Sequence, residues 1–138
     1  MPVYVPKSAY KAVFKANFRG NESLTLIGNV PSQIHTFEVN FINSNTGDIH
    51  FHVKPRFRDR KISRNYKKNN TWSKEFEDNT PKFGFEQGKE FTMEVRNEGD
   101  AFAVFVNGEK LFSYKHRLPF NQIDIIEIKD IGVTLVKL

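Results

Sequence analysis

Cysteine is absent from this 138-residue chain, which excludes disulfides, thiolate nucleophiles and Cys-ligated zinc. The same absence leaves the redox compartment open. Long apolar runs are missing too. Stretches such as Ile131-Gly132-Val133 reach a few residues, against about 20 for a bilayer span. The start, Met1-Pro2-Val3-Tyr4-Val5-Pro6-Lys7, has neither the basic opening nor the apolar stretch of a signal peptide. The expectation is a protein that does not insert in a membrane and does not follow the conventional secretory route. There is no Gly-rich phosphate loop and no zinc-finger or RNP motif, so nucleic-acid binding is not expected. No segment reads as a helix of three turns.

What is present is apolar and aromatic bulk. Hydrophobic residues make up 38% of the chain and include 14 Phe, enough to fill the core of one domain over residues 1–138. Roughly the first ten residues read as a loosely attached start. The formal charge is +5, which favours acidic partners such as sulfated glycans. Acids and bases mix along most of the chain. One denser basic stretch holds Lys54, Arg56, Arg58, Arg60, Lys61, Arg64, Lys67 and Lys68. Asn21-Glu22-Ser23 and Asn69-Asn70-Thr71 match the glycosylation pattern, which carries meaning only along a secretory route.

The hydrophobic period is two. Phe37-Glu38-Val39-Asn40-Phe41 and Phe91-Thr92-Met93-Glu94-Val95-Arg96 alternate, as do Leu24-Thr25-Leu26 and Asp48 to Lys54. Phe102 to Val106 and Ile123 to Ile128 are apolar on both sides and read as more buried strands. Gly132 to Val136 reads as a last strand. Turn clusters stand at Asn45-Thr46-Gly47-Asp48 and Asn97-Glu98-Gly99-Asp100. Asn107-Gly108 between two strand patterns predicts a type I′ hairpin, which needs two positive φ angles. A short helical turn fits Pro119 to Gln122. Short strands punctuated this way predict an all-β, two-sheet antiparallel sandwich.

One strand carries polar chemistry. Strict alternation over residues 48–57 sends Ile49, Phe51, Val53 and Phe57 into the core. It lines up His50, His52, Lys54 and Arg56 on the other face. Such a row is either the wet face of an antiparallel sheet or a platform for a hydroxyl-rich ligand. A metal held by His50 and His52 finds no third ligand at a persuasive spacing, so no metal or cofactor is expected. The only Trp, Trp72, lies in the polar segment Asn65 to Glu77. There it is either a core or edge residue, or an exposed ring able to stack on the C–H side of a sugar.

The order His52-x-Lys54-Pro55-Arg56-Phe57, then Asn65, then Trp72-x-x-Glu75 resembles the galectin carbohydrate-recognition signature. Leu26-Ile27-Gly28-Asn29-Val30, Gly88-Lys89-Glu90-Phe91, Phe105-Val106-Asn107-Gly108 and Tyr114-Lys115-His116-Arg117 are similar to the family's flanks in the same order. The likeness runs from about Val13 to the end. It implies a jelly-roll sandwich that binds β-galactosides without metal or catalysis. By resemblance, His52 and Arg56 bond the axial 4-hydroxyl of galactose. Asn65 and Glu75 bond the 6-hydroxyl, Trp72 stacks beneath the ring, and an Arg56–Glu75 pair would fix both side chains. The family's Pro-Gly before its first strand is missing near Arg19-Gly20.

Two positions of the motif depart from the family. Lys54 replaces an Asn, and Glu77 replaces the Arg that helps hold the second sugar. Both count as candidate binding residues, with Glu77 pairing to Lys54 or Arg56 as one outcome. Three readings stay open at this point. The first is a β-galactoside lectin with altered second-sugar preference. The second is a galectin-like interaction protein whose site is closed by a Lys54–Glu77 or Arg56–Glu77 pair. The third is a binder of sulfated or anionic glycans through the basic rim. An enzyme is disfavoured, because Glu75 and Glu77 sit on one side of a strand and not across a bond from each other. The resemblance further implies glycoprotein or glycolipid glycans as partners, and it allows a homodimer. It also implies a cytoplasmic location with secretion that needs no signal peptide.

Overall fold

The structure is a computed structural model that describes residues 11–18 and 22–138, together with the backbone of the strand Val3–Tyr4. The rest of the first ten residues, Arg19-Gly20 and Asn21 of the first glycosylation pattern lie outside the described residues. Two antiparallel sheets of six strands each pack face to face. The first sheet is built, edge to edge, from β1 (Val3–Tyr4), β12 (Val133–Lys137), β3 (Ser23–Asn29), β8 (Glu90–Asn97), β9 (Ala101–Val106) and β10 (Glu109–Lys115). The second runs β2 (Lys11–Lys15), β11 (Ile125–Lys129), β4 (Glu38–Ile42), β5 (Ile49–Arg56), β6 (Lys61–Lys68) and β7 (Thr71–Trp72). A 3₁₀ turn at Phe120–Gln122 leads into β11. No helix among the described residues is long and apolar enough to cross a membrane.

The alternating residues fill the space between the sheets. Leu24, Leu26, Met93, Val95, Phe102 and Val104 from the first sheet meet Val39, Phe41, Phe51, Val53, Ile126 and Ile128 from the second, all at most 1% exposed. Phe51 stacks on Phe102 at 5.0 Å and on Tyr114 at 4.8 Å between ring centroids. A second aromatic group joins Phe37, Phe57, Phe83, Phe85 and Phe91. Phe83 and Phe85 belong to the long connection between β7 and β8. Their burial pins that connection to the core, so the chain beyond Trp72 is held at its far end.

The turn chemistry follows the sequence. Asn107 and Gly108 have φ of 51° and 82°, as the β9–β10 hairpin requires. Asn69 and Asn70 have φ of 52° and 62° and make a second such turn between β6 and β7. β2 and β6 are strands that the sequence pattern did not announce. Lysines occupy the outer positions of β2, an edge strand, and β6 buries an arginine where its alternation calls for an apolar residue.

Gly28 shows how tightly the first sheet closes. A Cβ there would stand 2.7 Å from the Gly132 carbonyl oxygen and 3.1 Å from the Phe91 ring. Gly28→Ala therefore lowers the urea unfolding free energy by about 1–3 kcal/mol, because backbone has to move. An unchanged urea midpoint would contradict this packing.

Candidate carbohydrate-binding site

Strict alternation fails at the start of β5. On β4 the partners of Phe41 and Ile42 are Phe51 and Ile49, so His50 is an extra residue. On β6, Ile49 faces Lys67 while His52 faces Asn65, with the same surplus of one. This is a β-bulge, and it exchanges faces on its two sides. Ile49 shares the outer face with Lys67 and is not a core residue. His50 turns inward, with the Pro119 carbonyl as its backbone partner and His116 close by. The expected outer row of His50, His52, Lys54 and Arg56 is thus corrected to His52, Lys54 and Arg56.

His52 is the best-fixed member of that row. It lies in register with Asn40 on β4 and Asn65 on β6. Its Nδ1 is 2.6 Å from Asn40 Oδ1, a carbonyl oxygen that only accepts. The Asn40 amide donates to Glu127 Oε1 at 3.1 Å and to Glu38 Oε1 at 3.4 Å, which fixes the orientation of Asn40. Nδ1 of His52 therefore carries the proton and Nε2 is left as an acceptor. Burial first, and then Lys54 and Lys129, hold the His52 pKa down to about 4 against the opposing pull of Glu38. The ring is neutral at pH 7.

Trp72 sits on the two-residue edge strand β7, paired with Lys67. It is 41% exposed, and its ring centroid is 4.7 Å from that of His52. Lys67 Nζ stands 5.4 Å from the indole centroid, within cation–π range. Asn65 ties this edge to the sheet. Its Nδ2 donates to the Ser73 carbonyl at 3.0 Å, and its Oδ1 accepts from the Tyr66 N–H at 2.9 Å. Each group keeps one further hydrogen-bonding position. Lys54 is half-buried on the same face, opposite Ser63.

Arg56 does not pair with Glu75. Its Nη2 donates to Asp78 at 3.2 Å and approaches Asp59 at 3.3 Å, while its Nε is buried without a partner. Glu75 is exposed, with its backbone N–H held by Ser73 Oγ at 3.0 Å. Asp59, Asp78, Asn40, Glu38 and Glu127 are thus supporting residues that the motif did not reveal. Asn40 and Glu38 were legible only as polar members of an alternating strand.

Glu77 is not on this face. It exchanges both backbone hydrogen bonds with Arg64, at 2.7 and 2.9 Å, so it shares the inner side of β6 with that residue. There it accepts from Arg117 Nη2 at 2.5 Å and lies 3.9 Å from Arg64 Nη2. Arg64 is only 4% exposed. It donates to the carbonyls of Ile62 and Asn79 at 2.8 and 2.9 Å, and it lies over the Phe112 ring. Its burial alone lowers the guanidinium pKa, and Glu77 opposes that. Glu77 is the counter-ion of a buried arginine, and neither expected pair, Lys54–Glu77 or Arg56–Glu77, fills the outer face. The basic stretch is likewise divided. Arg64 is internal, whereas Arg58, Arg60, Lys61 and Lys68 are exposed.

A neutral histidine, a guanidinium, a side-chain amide and an exposed indole thus share one sheet face. Residues 9–138 match the family described as galactoside-binding lectin, and the chain belongs to that family. Over 130 residues it is 33% identical to the 32 kDa beta-galactoside-binding lectin of Haemonchus contortus, covering 94% of this chain and 45% of that protein. It is 32% identical to galectin-4 of Rattus norvegicus, over 99% of this chain and 42% of that protein. The chain thus spans less than half the length of these relatives. Sheep galectin-11 in complex with glycerol superimposes with a TM-score of 0.83 at 21% identity, covering 95% of this chain and 98% of the other. Caenorhabditis elegans galectin LEC-6 gives 0.79 at 23%, covering 97% and 93%. These two likenesses bear on the fold alone, and they agree with the jelly-roll sandwich.

Two outcomes follow. Glu77→Arg, which restores the family's residue, places a third guanidinium beside Arg64 and Arg117. It lowers stability by about 2–4 kcal/mol, a range discounted because Glu77 is a third exposed, and it gives no gain in lactose affinity. Urea unfolding and a lactose titration read both effects, and a stable variant with tighter lactose binding would contradict the assignment. The His52 ring titrates near pH 4 by NMR. In the unfolded chain it takes up its proton near pH 6.5. Its contribution to stability therefore falls as pH drops from about 6.5 to about 4 and levels off below. A His52 midpoint above pH 6 would contradict the burial that holds the ring neutral.

Proposed function

We propose that this chain is a carbohydrate-binding module that recognises β-galactosides, without catalysis or metal, on the outer face of its second sheet. The observation that carries the reading is His52, kept neutral by burial and held in one tautomer by Asn40, with the exposed indole of Trp72 4.7 Å away. Nε2 accepts the proton of a ligand hydroxyl, and Arg56 donates to the oxygen of the same group. An axial 4-hydroxyl points towards these two groups and leaves the opposite C–H face of the pyranose clear to lie on Trp72. Glucose turns that hydroxyl equatorial and leaves the pair unsatisfied, at a cost of about 1–3 kcal/mol. Asn65, with one donor and one acceptor position left, serves the neighbouring 6-hydroxyl.

The absence of Glu77 from this face favours sugar binding over a closed, purely protein-binding surface. Lys54 remains the site's departure from the family pattern, since an ammonium donates but does not accept. A second copy joined through outer strands would present two such faces and cross-link glycans by multivalency.

Trp72 is the only tryptophan, so its fluorescence reports this face alone. Lactose and methyl β-galactoside shift that emission in a saturable titration, whereas the glucoside analogue does not. By calorimetry, Trp72→Ala lowers galactoside affinity at least about ten-fold, the scale of one lost aromatic contact. Lys54→Asn raises lactose affinity. An emission unmoved by every galactose-terminated glycan on an array would refute the reading.

A further inference from the structure

The register of the segment after β7 decides which side chains stand beside Arg56. Glu77 is locked to the inner side by its two backbone hydrogen bonds with Arg64. The chain bends at Lys74, and Glu77 then pairs with Arg64 as an isolated antiparallel bridge. In extended chain, neighbours point to opposite sides. Asp78 confirms the alternation, because its carboxylate reaches Arg56 on the outer face at 3.2 Å. By that alternation about the bridge at Glu77, Phe76 shares the face of Asp78 and Glu75 that of Glu77. Phe76 is 56% exposed, the most exposed of the large apolar side chains among the described residues. The connection that carries it is anchored further on by the buried Phe83 and Phe85, so Phe76 is presented from a fixed backbone.

Resting on the galactoside reading above, we propose that Phe76 and Asp78, and not Glu75 and Glu77, form the wall that meets the group linked to the galactose. We assign to that wall a preference for apolar or aromatic aglycones. The positions that the motif gives to charged groups are here taken by an exposed aromatic ring beside a carboxylate already engaged with Arg56. An aromatic ring gains by covering apolar area and offers no directional bond to a polar second sugar. Asp78 accepts only, and its pairing with Arg56 leaves it little capacity for a second sugar's hydroxyls.

The experiment compares methyl β-galactoside, phenyl β-galactoside and lactose by calorimetry on the wild type, Phe76→Ala, Phe76→Leu and Glu75→Gln. Wild type binds the phenyl compound about three- to ten-fold tighter than the methyl compound, as expected for one aromatic contact. Phe76→Ala brings that ratio to about one and leaves methyl galactoside affinity within about two-fold. Phe76→Leu keeps part of the ratio, and Glu75→Gln leaves it unchanged. A ratio that survives Phe76→Ala, or one that collapses in Glu75→Gln, overturns the assignment while the galactoside reading stands. A wild type that binds none of the three compounds overturns the galactoside reading and this proposal together. Phe76 is exposed, so its variants fold, and thermal unfolding of each checks that directly.

Discussion

One extra residue in β5 orders the whole outer face. Without the bulge at His50, the pairing of β5 would carry His50 outward and Ile49 inward, exchanging a polar and an apolar side chain between the two faces. With it, His52 falls into register with Asn40 on one side and Asn65 on the other. These three residues then stand in one row across three strands, with His52 bonded to Asn40. Asn40 passes the polarity on to Glu127 and Glu38, and Asn65 passes it to the backbone beneath Trp72. Each member has its partner before any ligand arrives. The entropy of ordering the face is therefore met during folding and not during binding.

The charged residues divide by side of the sheet, and this division explains the unusual motif. Arg64 is buried on the inner side of β6, where an uncompensated guanidinium is costly. Glu77 and the carbonyls of Ile62 and Asn79 answer it there. The carboxylate at 77 thus serves Arg117 and the buried Arg64 on the inner side and not the outer face. On the outer side, Arg56 is answered separately by Asp59 and Asp78. The two guanidiniums lie on neighbouring strands, yet they draw their counter-ions from opposite faces of one segment. A single step along the chain, from Glu77 to Asp78, moves the negative charge from one system to the other.

Much of the sandwich was legible because period two and turn chemistry leave plain marks. The Asn107-Gly108 hairpin, the alternating strands other than the start of β5, and the short turn before β11 match the sequence expectation. The placement of Trp72, exposed and beside His52, also follows from its motif. What could not be read is register. A bulge changes no composition, so His50 and Ile49 were assigned to each other's faces. The motif places Glu77 with the sugar-facing residues by resemblance, and nothing in it marks the bend at Lys74 or the pairing of Glu77 with Arg64. β6 hid for a different reason: a buried Arg64 breaks the apolar rhythm that announces a strand. Long-range partners such as Asn40 with His52, twelve residues apart, have no local signature.

The weakest part of the face is the one that any ring-stacking ligand must use. Trp72 belongs to a strand of two residues at the sheet edge, and such a strand has little stability of its own. Three things hold it. The Asn69-Asn70 turn supplies the twist that suits a hairpin. The Asn65 amide bonds the Ser73 carbonyl, and the Ser73 N–H bonds the Tyr66 carbonyl at 3.0 Å. On the galactoside reading proposed above, Asn65 would have two roles that cannot be separated by removing it: presenting an amide to the ligand and keeping the indole in place. In a site built this way, affinity depends on the number of polar contacts and also on how much of the time β7 stays paired. Small changes in the turn, remote from every hydroxyl, then act on binding through the same indole.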